Sequence, residues 1–200
     1  YIRIHDVTAV QMDCVEGLKT DQKTLLTLHW VLPHFQIARL MESHDMDSVV
    51  KALDDIERAL GYELFNQMFP LILTDNGHEF MDIEGMERSC TQSGKKRTMI
   101  FFCEPNRSDQ KGDCERNHRE MIIPKRKFSF DDFTQDDITL VVNHVNSYVR
   151  ESLYNKCPFD WIDGKFPQAF LEALELHKIP AENVIMSPKL LRHIKQISLL

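Results

Sequence analysis

The sequence predicts an α/β fold. Strand-like runs crowd the first forty-one residues, an amphipathic helix then leads into a short apolar run, and a second apolar helical stripe follows late in the chain. Residues 8–17 alternate, with Val10, Met12 and Cys14 on one side and Gln11 and Asp13 on the other, so they read as a half-buried strand. Residues 24–32 form a second strand, Pro33-His34 a turn, and Phe35 to Met41 a third strand. Such short connections imply an antiparallel meander.

Asp47 is the expected N-cap of a helix running from Ser48 to about Asn66. Val49, Val50, Leu53, Ile56 and Leu60 form its apolar stripe, and Lys51, Asp54, Asp55, Glu57 and Arg58 read as its solvated face. Gly61 predicts a break or kink. Pro70 stops the element, and Leu71 to Leu73 read as a buried parallel strand ending at Thr74-Asp75-Asn76-Gly77. Strand, helix and strand in this order make a crossover unit, which places Asp75 at a carboxyl strand end, where ligands gather in such sheets. A further strand spans residues 98–103, ended by Glu104-Pro105.

Ser108 predicts the start of a helix reaching about Ile123, on which Lys111, Glu115, His118, Arg119 and Ile122 share a face. Another helix, from about Gln135 to Glu151, carries Ile138, Val141, Val142, Val145 and Val149 as its stripe. Pro167 to Leu176 read as a short helix before the Ile179-Pro180 break. Trp30 and Trp161 are expected in the core or at a partner surface.

The 200 residues suffice for one domain with a small appendage, divided here into a core over 1–160 and a helical extension over 161–200. The chain starts at Tyr1, which reads as the start of an excised piece of a longer protein. No apolar run approaches the roughly 20 residues of a membrane span. Five cysteines without a Cys-x-x-Cys pair argue for a reducing compartment and against a zinc ribbon. The histidines form no His-Glu-x-x-His cluster. The net charge of −7 speaks against nucleic-acid binding, but its distribution is uneven. Lys95, Lys96 and Arg97 form one basic cluster, and residues 111–127 hold six Lys/Arg against three Asp/Glu, while acidic residues gather at 45–57 and 131–137. An acidic body with a basic band fits a protein that meets DNA on one face.

Three carboxylates carry the chemistry. Asp13 and Asp75 sit at or near strand ends, and Glu115 on a basic helix. Carboxylates far apart in sequence, delivered from such positions, build oxygen cages for magnesium, and two such ions serve phosphodiester chemistry. Lys111, Arg116, His118, Arg119 and Lys125 are candidate phosphate contacts, and His78 lies near the same site.

Asp75-Asn76-Gly77-x-Glu79-Phe80 resembles the second-aspartate motif of retroviral integrases and related transposases. The stretch Glu104-Pro105-x-x-Ser108-x-Gln110-Lys111-Gly112-x-x-Glu115-Arg116-x-x-Arg119 resembles the third-carboxylate helix of bacterial insertion-sequence transposases of the branch numbered thirty. Tyr154-Asn155-Lys156-Cys157-Pro158 is similar to that branch's Gly-Tyr-Lys-Thr-Pro ending, and Ile179-Pro180, Val184, Pro188 and Leu190-Leu191 echo its tail. The chain departs from the pattern at Asn106 and Asp109, where an aromatic and a tryptophan are usual. The resemblance implies a ribonuclease H-like fold, a five-stranded mixed sheet flanked by helices. It further implies a DDE triad of Asp13, Asp75 and Glu115 using two Mg²⁺ or Mn²⁺ ions to cleave DNA at mobile-element ends and transfer the strand. A homodimer or higher multimer, a bacterial cytoplasmic location and an amino-terminal helix-turn-helix module complete that expectation. The alternatives are an inactive DNA-binding relative, and a ribonuclease H or junction nuclease on the same fold.

Overall fold

The structure, a computed structural model, describes residues 9–103, 129–187 and 189–191. Its centre is a five-stranded sheet. Strand β1 (Ala9–Glu16) pairs antiparallel with β2 (Thr24–Trp30), which pairs antiparallel with β3 (Phe35–Met41). On its other side β1 pairs parallel with β4 (Leu71–Thr74), which pairs parallel with β5 (Met99–Phe102), giving the order β3-β2-β1-β4-β5. The expected mixed sheet is therefore present, with β1 in the middle. All seven residues of β2 are buried, so both faces of the sheet are covered there. The reading of β1 as half-buried is corrected for the same reason, because Gln11, on the side assigned to solvent, is buried with Val10 and Met12.

The return from β3 to β4 uses two helices, α1 (Met46–Leu60) and α2 (Tyr62–Met68), hinged at Gly61. Gly61 has φ 76°, which costs a glycine no steric strain, and the break falls where the sequence put it. The N-cap is Asp45, whose Oδ1 accepts the Ser48 N–H at 2.8 Å; Asp47, the expected cap, lies in the first turn. A five-residue helix, α3 (Ile83–Glu87), follows β4.

The solvated-face reading of α1 fails at two positions. Asp54 and Glu57 are buried, and so is Arg97, assigned from sequence to a basic cluster. The Arg97 Nη1 lies 2.5 Å from Asp54 and 3.2 Å from Glu57. Its Nε and Nη2 donate to the carbonyls of Met86 and Gly85 at 2.8 and 3.1 Å. Arg88 reaches the other Asp54 oxygen at 3.0 Å. This cluster ties α1 and α3 to the chain entering β5.

After residue 128 the fold continues with α4 (Gln135–Ser147), opened by a capping box in which Thr134 and Asp137 satisfy each other's backbone N–H. It ends at Ser147, short of the expected Glu151, and Val149, assigned to its stripe, is 44% exposed. Two short helices follow, α5 (Pro158–Ile162) and α6 (Gln168–Ala173). Trp30 is buried, with its ring centroid 5.1 Å from Phe69, 5.3 Å from Phe166 and 5.6 Å from Phe170. The segment beyond residue 160 thus shares the aromatic core of the sheet. Among the described residues no helix is long and apolar enough to cross a membrane.

Candidate metal centre

Ala9, Val10 and Gln11 of β1 face Leu71, Ile72 and Leu73 of β4 in parallel register. This pairing ends at Gln11 and Leu73; Asp13 lies two positions further along β1, and Asp75 lies two positions beyond Leu73, one past Thr74, where β4 ends. β1 and β4 run in the same direction here, so both residues lie toward the carboxyl edge of the sheet.

Local hydrogen bonds orient each carboxylate. The Asp13 Oδ1 accepts the Cys14 N–H at 3.0 Å, and Thr27 holds the Asp13 carbonyl through its hydroxyl at 3.0 Å. The Asp75 Oδ1 accepts the Gly77 N–H at 2.9 Å, an Asx turn that ends β4. Beside it, Asn76 Nδ2 donates to the Cys103 carbonyl at 3.3 Å, and the Cys103 N–H donates to the Thr74 carbonyl at 2.7 Å. The Asp75 turn is thereby fastened to the outgoing end of β5. Both aspartates are half-buried.

Of the other residues singled out from sequence, Glu115, Lys111, Arg116, His118, Arg119 and Lys125 lie outside the described residues. The chain leaves the described fold at Cys103, beside the Asp75 turn, and returns at Ser129. The return point is held by Asp21, whose Oδ1 accepts the Ser129 hydroxyl and whose Oδ2 accepts the Phe130 N–H, both at 2.8 Å. Asp21 belongs to the loop that follows β1, so departure and return both fall at the carboxyl edge that carries Asp13 and Asp75. His78 is exposed, in the short turn after Gly77.

Sequence reasoning missed a second feature of this edge. Glu79 folds back over Gly77, where an added Cβ would come within 2.7 Å of its carboxylate oxygen. Glu79 also meets His44, Oε1 to Nε2, at 3.0 Å, while His44 Nδ1 lies 3.2 Å from Glu16. These residues come from three separate segments, so no spacing in the sequence announces them.

No family profile and no curated protein sequence matches the chain. Solved structures do. The catalytic core domain of BIV integrase matches with a TM-score of 0.52 at 15% identity, covering 79% of this chain and 95% of that one. The HTLV-2 integrase catalytic core domain, solved in complex with magnesium in a trimeric form, gives 0.53 at 15% identity, covering 77% and 95%. The simian T-cell lymphotropic virus intasome, in complex with PP2A regulatory subunit B56 gamma, gives 0.58 at 15% identity, covering 89% of this chain and 59% of that one. The fold is the ribonuclease H-like fold of retroviral integrase catalytic cores.

Proposed function

We propose that the chain is the catalytic core of a DDE transposase or integrase, cleaving DNA at mobile-element ends and transferring the strand. The observation that supports this reading is that Asp13 and Asp75 each follow by two positions a paired residue of the two central parallel strands, Gln11 and Leu73, toward the carboxyl edge of the sheet. The donor set fits a hard divalent cation, because both residues offer carboxylate oxygens and backbone N–H groups already orient one oxygen of each. Asp13, on the central strand, Asp75 and Glu115 would together hold two Mg²⁺ or Mn²⁺ ions, which would supply charge stabilisation and activation of the attacking hydroxyl.

The chain's own residues do the positioning. The Gly77 N–H and the Asn76 bond to Cys103 fix the Asp75 turn, and the Cys14 N–H aims Asp13. Glu115 follows Cys103 by twelve positions, and both described ends of its segment lie at this edge, which supports its joining the pair. Lys111, Arg116, His118, Arg119 and Lys125 would contact phosphates flanking the cut. The sequence motifs favour the bacterial insertion-sequence branch numbered thirty, a cytoplasmic setting, a homodimer or higher multimer that brings two element ends together, and a division into a core over 1–160 and an extension over 161–200. The integrase core solved with magnesium and the intasome among the similar structures fit the metal and the DNA-bound assembly.

The test is metal-dependent nicking and strand transfer on linear duplex, with hybrid and junction substrates alongside. Asp13→Asn, Asp75→Asn and Glu115→Gln should each reduce Mg²⁺-dependent strand cleavage to background while leaving the circular dichroism spectrum intact. Cleavage that survives all three substitutions ends the proposal.

A further inference from the structure

The carboxyl edge carries a second ligand set of different chemistry. Cys14, His44 and Glu79 each present one ligand atom, and these atoms all lie within 4.8 Å of one another. Cys14 follows Asp13 on β1, His44 lies between β3 and α1, and Glu79 lies in the turn after Asp75. Cys14 and His44 also line a cavity of about 710 Å³ at the end of β1, with Glu16, Lys19, Asp21 and Lys23. The site is therefore open on one side to solvent-borne ions.

The contacts of His44 decide what the cluster can hold. A neutral imidazole has one N–H and one lone pair. If Nδ1 donates to Glu16 at 3.2 Å, the lone pair on Nε2 faces the Glu79 carboxylate at 3.0 Å. Two electron-rich atoms that close need a cation between them, either a proton or a metal. Glu16 stands behind the ring as the outer carboxylate commonly found behind a metal-bound histidine, where it fixes the tautomer and raises ligand basicity. Tetrahedral zinc holds nitrogen, oxygen and sulfur ligands roughly 3.3–3.6 Å apart, judging from its usual bond lengths. Binding would draw the three ligand atoms, which lie within 4.8 Å of one another, together to that spacing. Thiolate and imidazole select zinc-class ions over magnesium, which prefers oxygen alone.

The geometry points to a site for a soft divalent cation of the zinc class at Cys14, His44 and Glu79, with Glu16 as the outer partner and water in the fourth position. It is distinct from the oxygen set of Asp13 and Asp75 and does not depend on the reading of that pair. Binding deprotonates the Cys14 thiol, and the released proton goes to solvent.

Cobalt(II) titration of the full chain, read by absorption, tests it, because thiolate-bound cobalt gives a charge-transfer band and tetrahedral cobalt gives intense visible bands. Both should appear at one equivalent and be displaced by Zn²⁺. Cys14→Ser should abolish the charge-transfer band, and His44→Ala and Glu79→Gln should each weaken Co²⁺ binding tenfold or more. Glu16→Gln should weaken it less, while Cys90→Ser and Asp75→Asn should leave it unchanged. The Asp75→Asn arm separates this site from the magnesium reading, since that variant removes an oxygen ligand and spares all three soft-site ligands. No band in the unmodified chain, or a band that persists in Cys14→Ser, overturns the proposal.

Discussion

Asp21 and Phe130, 109 positions apart, are joined by a 2.8 Å hydrogen bond from the Phe130 N–H to the Asp21 Oδ2. The same oxygen accepts the Leu18 N–H at 2.8 Å, so a single carboxylate closes the loop after β1 and holds the returning chain. Burial, the largest influence on this group, works to raise its pKa. Hydrogen bonds from the Phe130 N–H, the Ser129 hydroxyl and the Leu18 N–H outweigh it and hold the carboxyl below its usual range. A carboxyl with a lowered folded-state pKa contributes stability above its unfolded pKa and loses it as pH falls through the folded value. Asp21→Ala leaves the two N–H groups without this acceptor and should lower stability by about 1–2 kcal/mol, read as a reduced urea midpoint at neutral pH. The difference from the unmodified chain should shrink as pH falls through the acid range.

The buried cluster around Arg97 makes a larger claim. Arg97→Met takes the guanidinium from two buried carboxylates, Asp54 and Glu57, and should cost about 3–5 kcal/mol, because an uncompensated buried charge is worse than none. For Glu57, burial acts to raise the pKa, but hydrogen bonds from Ser89, Thr91 and Cys90 overcome it and bring the value down from 4.5 to about 2. Its contribution is therefore complete above pH 4.5 and is lost as pH falls toward 2. Glu57→Gln should flatten the acid limb of stability against pH over that window. An unchanged acid limb would place the acid sensitivity of the fold elsewhere.

The difference between these two regions shows what a sequence makes legible. The strand that carries Asp13 and the strand that ends just before Asp75 were legible because strand alternation and the end of an apolar run are local signals. The hinge at Gly61 was visible for the same reason, since glycine interrupts a helical stripe. Asp54 and Glu57 were misread because a charged helix face looks solvated until its partner is known, and Arg97 lies 43 and 40 positions away. The cap shifted from Asp47 to Asp45 because Asp45, Asp47 and Ser48 are all capping types within about one turn's length. The helix α4 stopped early because the Tyr148 N–H bonds to the Val145 carbonyl at 3.3 Å, a tighter closure that turns the chain and leaves Val149 outside the stripe. A five-residue helix such as α3, with Gly85 at its centre, is too short to display a period.

The metal binding proposed for Asp13 and Asp75 has a readout that requires no DNA. A ligand that binds the folded chain alone stabilises it by RT ln(1 + [L]/Kd), about 2.7 kcal/mol at a hundredfold excess over Kd. Mg²⁺ or Mn²⁺ should raise the melting temperature of the unmodified chain, and chelation should reverse the rise. Asp13→Asn and Asp75→Asn should each remove most of that shift, whereas Cys14→Ser should keep it. A shift that persists in both aspartate variants would assign the metal to another part of the surface.

The outer edge of the sheet is closed by side chains rather than by another strand. Asn146 of α4 accepts the Gln36 N–H of β3 at 3.1 Å and donates to the Gln36 carbonyl at 2.7 Å. Gln135, at the other end of the helix, accepts the Leu40 N–H at 2.9 Å and donates to the Ala38 carbonyl at 3.1 Å. An edge strand left open is a template for pairing with another chain, and these two amides occupy four of its backbone groups. Asn146 is fully buried, so Asn146→Ala strands both groups and should cost about 1–3 kcal/mol and promote concentration-dependent aggregation. Gln135→Ala, at a half-buried site, should cost less. Asn146→Asp separates packing from hydrogen bonding. The introduced carboxylate still accepts the N–H but faces the Gln36 carbonyl without a proton, in a place that disfavours charge, so its pKa rises on folding. This variant should be the least stable of the three at neutral pH. It should recover as pH falls through the raised pKa, because the protonated acid can again donate to the carbonyl. A denaturation series across pH would show that recovery, and its absence would mean that the edge is held by the packing of α4 and not by its amides.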